Sequence, residues 1–324
     1  MARKKKYGRR NAQKKSLSFV IYIIIALLLA AGSYFGLTEG LFDIGTQPKN
    51  EVGTVTEIGA DNFQLHMIDV GQGDAYLLCI PDGTSVKTMI IDAGTSKGHK
   101  ASIITDYISS LGIKTIDYML LTHPHSDHIG AATSVLAKFD VKNAIIPDCN
   151  YTSSAWTKIL EKIDEENSNV IFPEVGQKIK VGDATVLFLA PSEKLLNTTS
   201  GSDYINNYSI VCKVTYGENS FMFTGDACTQ SEAEILATFS QNELKCDVLK
   251  LGHHGSSTSS SEEFLRAVDP DIVLISLAKD NSYGHPHKET VEKLNKLGPT
   301  VYRTDEEGTV IIVSDGSKVS RYSK

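Results

Sequence analysis

Paired cysteines are missing from this chain of 324 residues. It has five, Cys79, Cys149, Cys212, Cys228 and Cys246, and none falls in a C-x-x-C pair. An odd count without such spacing argues against a disulfide framework as the organising device. Cys79 and Cys212 sit in apolar stretches and read as small core residues. No repeat shows at a period of 20–50 residues, which argues against a solenoid or propeller. Basic residues are few beyond the first 38. Eight of the 32 Lys and Arg precede Glu39, so the remainder holds 24 against 39 acidic side chains and carries about −15. Such a surface disfavours tight, non-specific binding of a long polyanion unless basic groups cluster at a site. Hydrophobic content of 41% and charged content of 22% are ordinary for a globular protein, and the length suits one large α/β domain plus an appendage.

Charge is absent altogether from residues 17–37. About twenty apolar residues span a bilayer core as a helix. The basic tail at 1–16 should stay in the cytoplasm, so the rest of the chain is expected outside the membrane. A cleaved signal peptide is the rival reading. The apolar run is long for that, and the only tolerable cleavage site is Ala30-Ala31-Gly32. Ser33 stands where a lipoprotein would need cysteine. Residues 38–61, rich in Gly, Thr, Glu and Asn, read as a linker, and 62–324 as the folded domain.

In that domain, apolar runs alternate with amphipathic ones. Strands are expected at Gln64–Val70, Ala75–Ile80, Lys87–Ile91 and Tyr118–Leu121. More follow at Asn143–Ile146, Val170–Phe172, Ala184–Leu189, Val248–Leu251 and Ile272–Ser276. Ile210–Tyr216 and Ser220–Thr224 pair as a hairpin about Gly217-Glu218-Asn219. Helices are expected at Lys100–Leu111, Ile129–Phe139, Ala155–Asp164, Gln230–Phe239, Glu262–Val268 and Glu289–Leu297. Two strands close the chain.

The chemistry concentrates in M-L-L-T-H-P-H-S-D-H-I-G-A-A, Met119 to Ala132. His123, His125, Asp127 and His128 lie within six residues, where an apolar strand ends and a helix begins. Three imidazoles and a carboxylate so close make sense as ligands of a cation, and the donor types suit zinc or manganese. Asp226 in F-M-F-T-G-D-A also ends an apolar strand. It can bridge two cations, or cap a helix starting at Ala227. His253 and His254 share a glycine-rich loop. Adjacent side chains usually point apart, so one is expected as a ligand and the other as a substrate contact or proton donor. His285, in N-S-Y-G-H-P-H, supplies a late ligand, and His287 a helix start. Asp69, Asp74 and Asp92, at strand ends, suit an outer set that orients ligand imidazoles, or else form turns. His66 and His99 have no partners in sequence and read as ordinary residues.

H-x-H-x-D-H after an apolar strand resembles the signature of the metallo-β-lactamase superfamily. F-Q-L-H-M-I-D-V-G-Q-G-D-A-Y-L-L (63–78) and L-K-L-G-H-H-G-S-S-T-S (249–259) resemble the hydrolase domain of ComEC-type competence proteins. The resemblance covers about residues 62–314. It implies an αβ/βα four-layer sandwich, here preceded by one transmembrane helix, and a site for two divalent metal ions, zinc or manganese. His123 and His125 would hold the first metal, Asp127 and His128 the second, with Asp226 between them. Most members carry another histidine before the bridging aspartate. The matching stretch Y-I-N-N-Y-S-I-V (204–211) has Asn206 and Asn207 instead. The His253-His254 stretch is expected to fill the gap, with His254 favoured as the ligand. His285 completes the second metal, and Asn207 and Ser256 contact the metal shell or the substrate.

These residues imply metal-assisted hydrolysis, with paired cations activating a water and His253 or Asp127 protonating the leaving group. Three functions compete. A phosphodiesterase related to DNA uptake, acting on short or single-stranded DNA or another phosphodiester, fits best. A lactamase- or lactonase-like hydrolase of carboxylic esters or amides is second. A non-catalytic binding protein on the same fold is third.

Overall fold

The computed structural model describes residues 61–96, 100–198 and 204–323. The basic tail, the apolar segment, His99 and nearly all of the linker lie outside the described residues. Among those described, no helix is long and apolar enough to cross a membrane.

Among the described residues, fifteen strands form two sheets. In chain order they are β1 (Phe63–Met67), β2 (Tyr76–Asp82), β3 (Ser85–Ile91), β4 (Thr115–Leu120), β5 (Asp140–Ile145), β6 (Asn169–Ile171), β7 (Lys178–Val181) and β8 (Ala184–Ala190). The second half supplies β9 (Val211–Tyr216), β10 (Asn219–Phe223), β11 (Val248–Lys250), β12 (Ile272–Ile275), β13 (Thr300–Arg303), β14 (Val310–Ser314) and β15 (Val319–Arg321). The first sheet runs β15-β14-β1-β2-β3-β4-β5-β6, and the second β13-β12-β11-β10-β9-β8-β7. Each half of the chain thus builds most of one sheet, and β14 and β15 cross back to complete the first.

The period-two pattern of the strands explains the layers. In β1, Phe63, Leu65 and Met67 enter the core between the sheets. His66, on the opposite face, meets the Tyr107 hydroxyl of helix Lys100–Ser110 at 2.7 Å. In β2, Tyr76, Leu78 and Ile80 face the other sheet, and Leu77 and Cys79 face the helices. In β10, Phe221 and Phe223 turn inward while Met222 packs outward. Three apolar cores result, one between the sheets and one under the helices of each, so the molecule is a four-layer αβ/βα sandwich.

Most expected elements are present with shifted ends. The helix expected at Ile129–Phe139 is two short helices, Ser126–Ile129 and Ala132–Lys138. Strand β7 was not expected, because Lys178-Ile179-Lys180-Val181 carries only two apolar residues. Its place at the sheet edge explains the lysines, which sit well on an exposed edge. The chain closes with three strands rather than two. All five cysteines are free thiols. Burial pushes Cys79 up to about 12 and Cys212, with help from Asp92, to the same value, as for inert core residues.

Strands β3, β4, β5 and β6 run parallel in one sheet, and β10 to β13 in the other. The loops leaving the carboxyl ends of β4, β10, β11 and β12 carry the histidine-rich stretch, Asp226, the His253-His254 pair and the His285 loop. Carboxyl ends of parallel strands are where α/β folds gather a site.

Candidate metal centre

Backbone hydrogen bonds stitch these loops into one platform. Asp74 donates its N–H to the Asp127 carbonyl at 3.1 Å, Ala93 to that of His128 at 2.6 Å, and His253 to that of Gly225 at 3.1 Å. Gly73 allows the first approach, since a Cβ there would collide with the Asp127 carbonyl oxygen.

Two groups of donors meet at Asp226. His123, His125 and Asp226 form one set of convergent donor atoms, Asp127, His128 and His254 another, and Asp74, His128 and Asp226 a third that overlaps both. The two oxygens of Asp226 face in different directions. Oδ1 lies 3.2 Å from His128 Nε2 and 3.6 Å from His254 Nε2. Oδ2 lies 3.7 Å from His123 Nε2 and 3.5 Å from His253 Nε2. Asp226 is not a helix cap. The following helix is Thr229–Thr238, capped at Cys228.

Far nitrogens are anchored too. His128 Nδ1 donates to Asp92 Oδ2 at 2.7 Å. Asp92 in turn accepts from the Thr122 N–H and hydroxyl, each at 2.7 Å. His254 Nδ1 donates to the Ser276 carbonyl at 2.8 Å and lies 3.3 Å from Asp74 Oδ1. These bonds keep a proton on Nδ1, so a cation taking the place of the Nε2 proton would find that lone pair beside Asp226. On the other side, His123 Nδ1 meets only hydroxyls, Thr122 Oγ1 at 3.1 Å and Ser209 Oγ at 3.3 Å. His253 Nδ1 pairs with Thr258 Oγ1 at 3.0 Å.

One buried cation belongs to the site, and the sequence reading missed it. Lys250, at the end of β11, is fully buried. Its Nζ donates to Asp74 Oδ2 at 2.6 Å and to the Gly225 carbonyl at 2.6 Å, and stands 3.7 Å from Asp226 Oδ1. Burial presses its pKa down, and the Asp74 and Asp226 carboxylates raise it above the usual lysine value. A lone lysine inside Val248-Leu249-Lys250-Leu251 was the available signal. A charge in an otherwise apolar strand needs a buried counter-charge.

Protonation follows the same layout. Burial lowers His128, but the carboxylates of Asp226, Asp92 and Asp74 outweigh it and hold the ring well above the usual histidine value. Burial likewise opposes, and Asp226 and Asp74 win, at His254, pushed up to about 10. Burial depresses His123 and His125. It raises the Asp74 carboxyl, but Lys250, His254 and His128 more than offset that and leave it below the usual carboxylate range.

This constellation fits divalent metal ions, which the fold implies. Asp74, Asp92, Asp127 and Asp226 bring four carboxylates to the site, and Lys250 answers one of them. Among the described residues, His128 Nε2, His254 Nε2 and Asp226 Oδ1 are buried without a hydrogen-bond partner and converge on one point. Buried donors left unmated in an anionic pocket are what a cation would satisfy.

The His253-His254 pair behaves differently from expectation. Both residues adopt left-handed backbone, φ 50° and 53°. Alternation of side chains belongs to extended chain. Here the curled backbone brings both rings around Asp226, a strained conformation of the kind held at functional sites. His254 was expected to complete the first metal's ligands, but it stands with Asp127 and His128. His285, expected as the last ligand of the second metal, is in neither donor group. Its loop is clamped by Asn281, which accepts from the His285 N–H at 2.9 Å and donates to its carbonyl at 2.7 Å. The ring stacks on Tyr283, centroids 5.6 Å apart, and lines the cavity above the donors. Burial, with His253 and His254, brings its pKa down to about 4.

Of the outer candidates, Asp74 and Asp92 reach the ligand rings and Asp69 does not. Asp69 Oδ1 accepts from Gly71 N–H at 2.9 Å, the turn-forming alternative. Asn207 faces away from the donors, accepting from Cys228 N–H at 3.3 Å and donating to Gln230 at 3.0 Å. Its neighbour Asn206 lies beside His125. The Ser256 hydroxyl meets Thr258, 3.1 Å away, which bonds the His253 ring, and the Ser256 N–H donates to the His253 carbonyl at 2.9 Å. His287 begins helix Lys288–Leu297, as expected.

A cavity of about 240 Å³ opens over the donors, lined among others by His125, Asp127, Asp226, His253 and His254.

Comparison with known proteins agrees with this geometry. Residues 68–190 match the profile of the Metallo-beta-lactamase superfamily. ComE operon protein 3 of Bacillus subtilis (strain 168) is 31% identical over 261 residues, 76% of this chain and 32% of its own length. Recombination protein 2 of Haemophilus influenzae is 31% identical over 258 residues, 78% of this chain and 29% of its own. The chain thus spans about a third of the length of the curated relatives it matches. Among solved structures, CmlA, a diiron beta-hydroxylase from Streptomyces venezuelae, superposes with a TM-score of 0.50 at 14% identity, over 81% of this chain and 54% of that one. That likeness bears on the fold alone. The two-sheet sandwich, the H-x-H-x-D-H loop gathered against Asp226 and the profile match over residues 68–190 together show that this chain carries a metallo-beta-lactamase superfamily domain.

Proposed function

We propose that the domain is a metal-dependent phosphodiesterase with a dinuclear site. The observation that carries this reading is Asp226, whose two oxygens each face a separate group of histidine donors. His123, His125 and Asp226 would hold one divalent ion, and Asp127, His128, His254 and Asp226 the other. When bound, such a pair polarises a phosphoryl group, lowers the pKa of water and clamps the attacking and leaving oxygens of an in-line displacement.

The chain's own residues do the rest. Asp92 and the Ser276 carbonyl fix the His128 and His254 rings, so little reorganisation is needed during reaction. Lys250 balances part of the charge on Asp74 and Asp226 and holds both in place. His253 lines the cavity beside Asp226, and burial lowers its pKa, so a substrate contact suits it better than proton donation. Asp127 suits ligand duty better than proton donation. Burial raises its carboxyl, but the nearby His254 and His128 rings keep it below the usual range, hence ionised.

One named relative is called a recombination protein, and this together with the ComEC-type motifs at 63–78 and 249–259 supports a role next to DNA uptake. The charge-free segment behind a basic tail supports an anchored domain facing away from the cytoplasm. The purified protein, loaded with zinc or manganese, should turn over an activated phosphodiester and short DNA faster than a lactam or lactone. Fast cleavage of a lactam or lactone, with no phosphodiesterase activity under either metal, would move the protein to the carboxylic reading. Protease added to intact cells should remove the domain. Survival until lysis would reverse the topology.

A further inference from the structure

The cavity above the donors does not end at His285. A second lobe of about 250 Å³ continues from it, and the two share Gln72, Ser126, Asp127 and Tyr283 as walls. The second lobe adds Thr95, Asp280 and Ser282, and among the described residues no lysine or arginine lines either lobe. A phosphate is therefore welcome at the donors and less so further along, where Asp280 would repel it.

Tyr283 stands at the junction. It is 61% exposed, the most exposed large apolar side chain among the described residues. An aromatic face left to water beside a polar cleft calls for a partner. It is also held still. Ser257 donates its N–H to His287 Nδ1 at 2.9 Å, so the other ring nitrogen carries the proton and donates to the Tyr283 carbonyl at 3.2 Å. The His285 ring backs the phenol at an interplanar angle of 23°, and Asn281 clamps that loop. Gln72 ties the far wall by accepting from the Ala278 N–H at 3.3 Å.

We propose that Tyr283 is a stacking platform for a nucleobase, and that the second lobe receives the uncharged nucleoside attached to the scissile phosphate. The inference rests on the phosphodiesterase reading and narrows it. The preferred substrate is a nucleoside-bearing phosphodiester with one phosphate at the donors, and additional phosphates gain nothing from the second lobe.

The test uses the metal-loaded protein with a thymidine dinucleotide and the same dinucleotide lacking one base. Both hydrolysis and calorimetric binding are measured. Stacking on an aromatic side chain predicts a KM lower by roughly tenfold for the base-bearing compound. Tyr283→Ala should bring the ratio of the two KM values near one, and Tyr283→Phe should restore it. Equal metal content in all three proteins shows that the donors are intact. A ratio near one in the wild type, or one that Tyr283→Ala leaves unchanged, overturns the platform while phosphodiesterase activity stands. Base-dependent binding that needs Tyr283 but leads to no hydrolysis keeps the platform and removes the phosphodiesterase reading. Absence of both binding and turnover overturns both.

Discussion

The two donor groups share Asp226 and differ in almost everything behind it. In the group of Asp127, His128 and His254, the far nitrogens meet a carboxylate and a carbonyl, and Asp74 and Lys250 close the rear. In the group of His123 and His125, hydroxyls stand behind His123, His125 Nδ1 lies 3.1 Å from the His123 ring, and His125 opens to the cavity. The protonation preferences are opposite in sign: His128 and His254 are pushed up, His123, His125 and His253 down. Carboxylates behind a ligand raise its basicity and its hold on a cation, and hydroxyls do so less. The deep group should therefore bind metal more tightly, and the open group should exchange it.

Removing the shared carboxylate should have the largest effect. Asp226→Ala should lower phosphodiester hydrolysis by roughly 10²–10³-fold or more and leave at most one metal per chain, read by steady-state kinetics and elemental analysis. Normal metal content in this variant would show that the two groups are independent. Lys250→Met comes next. Breaking a buried ion pair by removing one partner costs about 3–5 kcal/mol, so the metal-free variant should unfold far more readily. Added metal should recover part of the loss, because a cation answers the same carboxylates. A loss equal with and without metal would assign Lys250 to packing alone.

Smaller effects separate the two groups. Asp92→Asn should weaken the tighter metal by roughly 10–100-fold. Ser209→Ala should weaken the looser one by only roughly 3–10-fold, because its hydroxyl meets the His123 ring and the Asp226 N–H through neutral hydrogen bonds. Reversed outcomes would invert the comparison. The pH response sharpens it further. His254 is raised from 6.5 to about 10 in the folded protein. Without metal, its stabilising charge is fully present below about pH 6.5 and is lost as pH rises toward 10. The Tm of the metal-free protein should fall over that window by several degrees, at about 2–4 °C per kcal/mol for a domain of this size. Metal-loaded protein, whose ring is held neutral, should show little of it.

Much of this site is readable in the amino-acid order. The H-x-H-x-D-H spacing and the strand-G-D of Asp226 place donors at strand ends, and the structure gathers those same residues. What escaped depends on backbone conformation and on long-range charge. Two consecutive left-handed residues are invisible in a string, so His253 and His254 were read as pointing apart. The sharing of roles between His254 and His285 depends on how the Asn281 clamp aims a loop, which spacing does not encode. Lys250 was passed over because its partner Asp74 is 176 positions away. Asp69, Asp74 and Asp92 look alike in sequence. Only the fold shows that the first ends in a turn while the others reach the rings.

The most direct test is a stepwise metal titration of the wild-type protein against a competing chelator, with zinc and with manganese. Two sequential binding steps of unequal affinity are expected, with Asp92→Asn weakening the tighter step and Ser209→Ala the weaker. A single step, one metal per chain at saturation, or an Asp92→Asn effect confined to the weaker step would contradict the account.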